Sequence, residues 1–93
     1  MTQREIKELS SIVAEYSVDD YQAGAVLTKI QNERGQWHDV IDVTIVHAPT
    51  KERIDFLHRD SPTQFKGKMK TAFEALQRKV KEREDDKKNE NSL

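Results

Sequence analysis

The chain has no cysteine, three glycines, two prolines and one tryptophan, and no apolar run approaches the ~18 residues needed to cross a bilayer. Without cysteine there is no disulfide framework, no thiolate zinc centre and no cysteine nucleophile. The glycines Gly24, Gly35 and Gly67 stand apart, which excludes a glycine-rich loop cradling a phosphate. The opening residues Met1-Thr2-Gln3-Arg4-Glu5 lack the basic-then-apolar pattern of a secretory leader, so an intracellular, cytoplasmic setting is expected. Aromatic residues make up only 6% of the chain, and the core they help to fill must be small.

What is present is charge. The chain is 35% charged against 34% hydrophobic, a modest core inside a heavily solvated shell. Its 93 residues suit one domain, which at this size buries about two-thirds of the surface of the unfolded chain. The net charge of −1 conceals an uneven distribution. Residues 1–60 are acidic on balance, residues 66–81 hold six lysines and arginines against Glu74 alone, and the last twelve residues are acidic again.

The clearest local signal is Ser61-Pro62-Thr63-Gln64, a capping box with proline at the first helical position. Apolar residues follow at 65, 69, 72, 73, 76 and 80, the spacing of one helical face. Thr2 and Glu5 form a second capping box ahead of Ile6, Leu9, Ile12, Val13 and Tyr16, which predicts a helix over about 3–16. A strand over 11–18 is the alternative there.

Between these helices three segments read as strands. Val40 to Val46 alternates most cleanly, and Arg53 to Arg59 alternates again after turn residues. Ala23 to Gln31 is weaker, with a helix from Asp20 to Gly35 as the competing reading. Glu33-Arg34-Gly35 suits a three-residue hairpin loop with Gly35 in the left-handed position, which pairs Asn32 with Gln36 and Leu27 with Ile41. A four-residue loop over 49–52 would pair Ile45 with Phe56, Val43 with His58 and Asp42 with Arg59. Both registers put Ala23, Ala25, Leu27, Ile41, Val43, Ile45, Ile54 and Phe56 on one face. The fold expected is α+β, in the order α-β-β-β-α: a three-stranded antiparallel meander with two helices packed on one face. Residues 1–81 form the single domain and residues 82–93 a charged, disordered C-terminal tail.

Catalytic constellations are lacking. His38, His47 and His58 lie on separate segments without metal-ligand spacing, and the serines carry no nucleophile motif, so no metal, cofactor or enzymatic activity is expected. The sheet face opposite the helices is more informative. It presents Val26, Thr28, Ile30, Val40, Asp42, Thr44, Val46, Leu57 and Arg59, half apolar, with nothing left in the chain to cover it. Asp42, Thr44, Leu57 and Arg59, with Trp37 at the end of this face, are the candidate protein-binding residues. Trp37 itself is expected to pack on the core.

The basic stretch carries the competing reading. Lys66, Lys70 and Lys81 share one flank of the last helix, and cations gain affinity for nucleic acid by releasing condensed counterions. The element order, Gly35-Gln36-Trp37-His38 before the second strand, and Lys66-Gly67-Lys68-Met69-Lys70 resemble double-stranded RNA-binding domains. The resemblance implies that His38 enters an RNA minor groove and that Lys66 and Lys70 contact phosphates. It departs from that pattern at Gln36, where the family has proline, and in lacking a glycine-rich third strand. The first expectation is therefore a small non-catalytic accessory or regulatory protein of the phage or mobile-element type. It would inhibit or modulate a protein partner through the open face or a strand edge, and a homodimer is also allowed. Nucleic-acid binding through His38, Lys66, Lys70 and Lys81 is the alternative.

Overall fold

A computed structural model describes residues 2–59 and 62–91, with backbone alone at 62 and 86–91. The elements run α1 (Gln3–Glu15), β1 (Tyr21–Gln31), β2 (Trp37–His47), β3 (Arg53–His58) and α2 (Pro62–Asn91). This is the expected α-β-β-β-α order. The weak segment is a strand and not a helix, and it joins a three-stranded antiparallel sheet in the order β1-β2-β3.

The Thr2 side chain caps α1 by accepting from the Glu5 N–H at 3.2 Å, which satisfies one of the donors a helix start leaves free. From this start Leu9, Ile12 and Val13 turn inward and are buried. The cap assigned to Ser61 lies outside the described residues. Below it the stripe of α2 behaves as its spacing requires: Phe65, Met69 and Leu76 are fully buried, Ala72 and Val80 nearly so. These side chains close over Ile41, Val43 and Ile45, with Ala23, Ile54 and Phe56 packed at the margin. Tyr16 and Tyr21 meet Phe73 edge to face at 5.2 and 4.8 Å, which joins α1, β1 and α2 at one end of the core.

The first hairpin has the predicted register, Leu27 opposite Ile41 and Ala23 opposite Ile45. Gly35 takes φ +81° in the loop, a conformation open to glycine at little cost. Asn32 organises the tip: its Oδ1 accepts from the N–H groups of Arg34 and Gln36, both at 2.9 Å.

The second hairpin differs from expectation. Ile45 lies opposite Ile54, Val43 opposite Phe56 and Ile41 opposite His58, two positions away from the predicted pairs. The loop does have four residues, but it spans 48–51. Lys51 adopts φ +63° and donates its N–H to His47 O at 2.8 Å, while His47 N–H bonds Glu52 O at 2.8 Å. Closing the loop one residue early changes every partner by two and leaves every residue on its predicted face.

The helices roof less of the sheet than expected. Leu27 shares the helix-side face with Ile41 yet is 49% exposed, because β1 and β2 extend beyond the reach of both helices. At the other end α2 continues through Asn91, into the stretch 82–93 that the sequence assigns to a charged tail. No glycine or proline follows Gly67 to stop it, and Arg83 Nη1 donates to Glu52 Oε1 at 3.1 Å across to the second hairpin loop. Among the described residues no helix is long and apolar enough to cross a membrane.

Candidate functional site

Antiparallel pairing lines up the open face in rows. Val26 lies opposite Asp42, and Asp42 opposite Leu57, so one row crosses all three strands. The next row is Gly24, Thr44 and Asp55; the one after it is Gln22, Val46 and Arg53. Val26 is 66% and Leu57 51% exposed, two large apolar side chains bracketing an exposed carboxylate.

Beside that row sits a fixed polar group. The Thr44 hydroxyl donates to Asp55 Oδ1 at 2.6 Å, and Arg53 Nε and Nη2 both donate to Asp55 Oδ2, at 3.1 and 2.9 Å. First the Thr44 hydrogen bond and then those from Arg53 stabilise the charged form, holding the Asp55 carboxyl below its ordinary range. Its neighbours thus keep Asp55 ionised and oriented while it still faces solvent.

The residues singled out from the sequence separate into three places. Asp42, Thr44 and Leu57 meet on the open face. Arg59 does not face Asp42, because the shifted hairpin gives that position to Leu57. Instead Arg59 lines a hollow of about 630 Å³ at the sheet end with Thr2, Glu5, Trp37, His38 and Asp39. Trp37 pairs with Gln31 and by alternation falls on the side of Asp39 and Ile41, the helix side. It is 64% exposed, not packed on the core, because the roof ends before it.

Arg53 and Asp55 were missed, although stepping back by twos from Leu57 would have found them. Their role emerges only once Thr44 is known to lie opposite Asp55.

His38, half-buried, holds its Nε2 3.0 Å from Asn32 Nδ2 at the hairpin tip. The lysines assigned beside it lie elsewhere: Lys66, Lys70 and Lys81 are exposed along α2, and Lys66 lines a cleft with Glu8 and Glu15 of α1. Two carboxylates at that cleft oppose an incoming phosphate. His47 is buried against Tyr21, with Nδ1 2.8 Å from Thr50 Oγ1, and His58 is buried against Phe65. Both work in packing. Among the described residues no three His, Asp or Glu side chains group as metal ligands.

Comparison with protein-family models, with curated proteins and with solved structures finds no match, so the reading of this site rests on its own geometry and chemistry.

Proposed function

We propose that the protein is a small non-catalytic accessory module that acts by occupying a surface on another protein, using the uncovered face of its sheet. One observation carries this reading: Val26 and Leu57, both more than half exposed, flank the exposed Asp42 in a single row that crosses all three strands on the face away from the core, whereas Val40 on the same face is buried in the central strand. Exposed apolar groups grouped with polar side chains are the kind of surface that marks a protein-binding site. The face has no Phe, Tyr or Trp, and its one imidazole, His38, is half-buried beside Asn32 at the sheet end, which argues against a platform for stacking nucleic-acid bases.

The partner that fits carries apolar side chains for Val26 and Leu57 and a cation or donor for Asp42. Thr44, Asp55 and Arg53 hold one another in place before binding, so little side-chain entropy remains to be lost there. Burying the exposed parts of Val26 and Leu57 contributes roughly 1 kcal/mol or more each.

The test is capture from source-cell lysate, with and without nuclease, using the wild type and a variant carrying Val26→Lys and Leu57→Lys. A protein partner is retained after nuclease and weakened about 30-fold or more by the two lysines. Retention that needs nucleic acid and is strengthened by the added lysines overturns the reading, as does a partner whose affinity the variant leaves unchanged.

A further inference from the structure

The two edges of the sheet are built differently. β3 is six residues long, contains Arg53 and Asp55, and is flanked by Lys51, Glu52 and Arg59. Short length and dense charge protect an edge against pairing with another chain. β1 is eleven residues long and holds one charged residue, Lys29. Charge does not protect this edge.

Hydrogen bonding divides it further. Ala48 N–H bonds Asp20 O at 3.0 Å and Asn32 N–H bonds Gln36 O at 2.9 Å, so even-numbered residues of β1 are those that bond β2. Odd-numbered residues turn their N–H and C=O outward. At the start of the strand these groups are satisfied from within: Tyr21 N–H bonds Val18 O at 2.9 Å. The Ser17 hydroxyl accepts from Ala23 N–H at 3.0 Å and donates to Ala23 O at 3.2 Å. Beyond that plug, Ala25, Leu27, Lys29 and Gln31 present backbone groups that no described residue bonds. The open edge is a defined segment, 25–31, whose midpoint is Thr28.

We infer that the occupant of this edge is a second copy of the chain, its β1 running antiparallel to the first across a two-fold axis at Thr28. The inference extends beyond the open-face reading and does not depend on it. In this register Ala25 exchanges hydrogen bonds with Gln31 of the second copy and Leu27 with Lys29, which uses every outward group of the free segment. Thr28 meets Thr28, and Val26 meets Ile30 of the second copy, β-branched pairs suited to opposed positions. Lys29, already beside Asp39 at 4.0 Å, faces no like charge. The exposed Leu27 side chains come together diagonally across the axis on the helix side. The two three-stranded sheets become one, and their open faces become continuous.

The absence of native cysteine makes the register directly testable. A non-hydrogen-bonded pair at a two-fold has Cα atoms about 4.5 Å apart, within disulfide range, whereas residues at 26 in the two copies lie ~13 Å apart. Thr28→Cys is expected to form a disulfide dimer in high yield under mild oxidation, with Val26→Cys remaining mostly monomeric. In sedimentation equilibrium the wild type passes from single to double mass with concentration. Thr28→Lys, which opposes two like charges, weakens the dimer about tenfold or more. Leu27→Pro removes an outward N–H and spares the β2 ladder, so it dissociates the dimer with the open face intact. A wild type that stays monomeric to millimolar concentration overturns the inference. So does cross-linking of Val26→Cys as fast as Thr28→Cys, or a dimer indifferent to Thr28→Lys and Leu27→Pro while both variants stay folded.

Discussion

The two faces of the sheet draw on similar residues and meet opposite fates. On one face Val43 and Ile45 are fully buried; on the other Val26 and Leu57 are more than half exposed, although all four are aliphatic strand residues. Strand composition does not decide between them. For these four burial follows the helices, since both apolar stripes, Leu9-Ile12-Val13 and Phe65 to Val80, face the same side; Val40, on the other face of the central strand, is buried outside that cluster. Within the roofed face the same rule separates Ile41, under the helices, from Leu27, its cross-strand partner beyond them. Exposure of Val26, Leu27 and Leu57 marks where the described helices do not reach, and it is there that the proposed partner would bind.

Removing the roof is the severest way to break the contrast. Phe65→Ala deletes a fully buried ring that lies 4.9 Å from His58 and 6.1 Å from Phe56, and should cost about 3–5 kcal/mol in chemical denaturation. That is a large share of the 5–15 kcal/mol typical of a domain, so partial unfolding at ambient temperature is expected. The equivalent truncation on the open face, Val26→Ala, removes a side chain already in water and should change stability by less than ~0.5 kcal/mol.

A smaller effect with a sign change comes from two glycines. Gly35→Ala forces a side chain into φ +81° and should cost about 1 kcal/mol, loosening the hairpin tip that carries the unroofed half of the sheet. A Cβ at Gly24, on the open face, meets nothing within 4 Å. Gly24→Ala should therefore stabilise by about 0.5 kcal/mol through the unfolded chain. Thermal melts of the pair distinguish a loop that needs glycine from a strand that merely contains one.

Thr44→Val is subtler still. It deletes the hydroxyl donor to Asp55, whose carboxyl is held below its ordinary value of 3.8, and should move that pKa upward in an NMR titration. A depressed carboxylate pKa contributes stability that is present above the unfolded value and lost as pH falls through the folded one. The variant should therefore lose stability above about pH 4 and match the wild type in stronger acid. Asp55 is 42% exposed, so solvent screening keeps the difference under ~1 kcal/mol.

Periodicity made most of this fold legible. The stripe of α2, the Thr2 cap and the first hairpin register could all be read because each rests on local chemistry: spacing, a capping box, a glycine where φ is positive. The second register could not, because Lys51 takes a left-handed conformation that its residue type does not advertise. That one-residue difference moved Arg59 away from Asp42 and concealed the Thr44–Asp55 bond. Trp37 was misjudged for another reason. Alternation fixes which side a residue faces, but only the reach of the helices decides whether that side is covered. The site was accordingly half visible: Asp42, Thr44 and Leu57 follow from alternation, while their partners depend on a loop.

The smallest expected effect on the fold tests the comparison most directly. Leu57 lies opposite Asp42 and is 51% exposed, so Leu57→Lys replaces an apolar group in water with a cation facing a carboxylate across adjacent strands. Such opposed charges are mildly favourable and the lost burial is slight, so the melting temperature should hardly move. If Leu57 faces water only because its partner is absent, the same variant loses that partner while keeping its fold. If the variant instead unfolds, Leu57 belongs to the core, and the open face is not an open face. A melting curve and a binding measurement on one protein separate these outcomes, because stability reports what the helices cover and affinity reports what they leave bare.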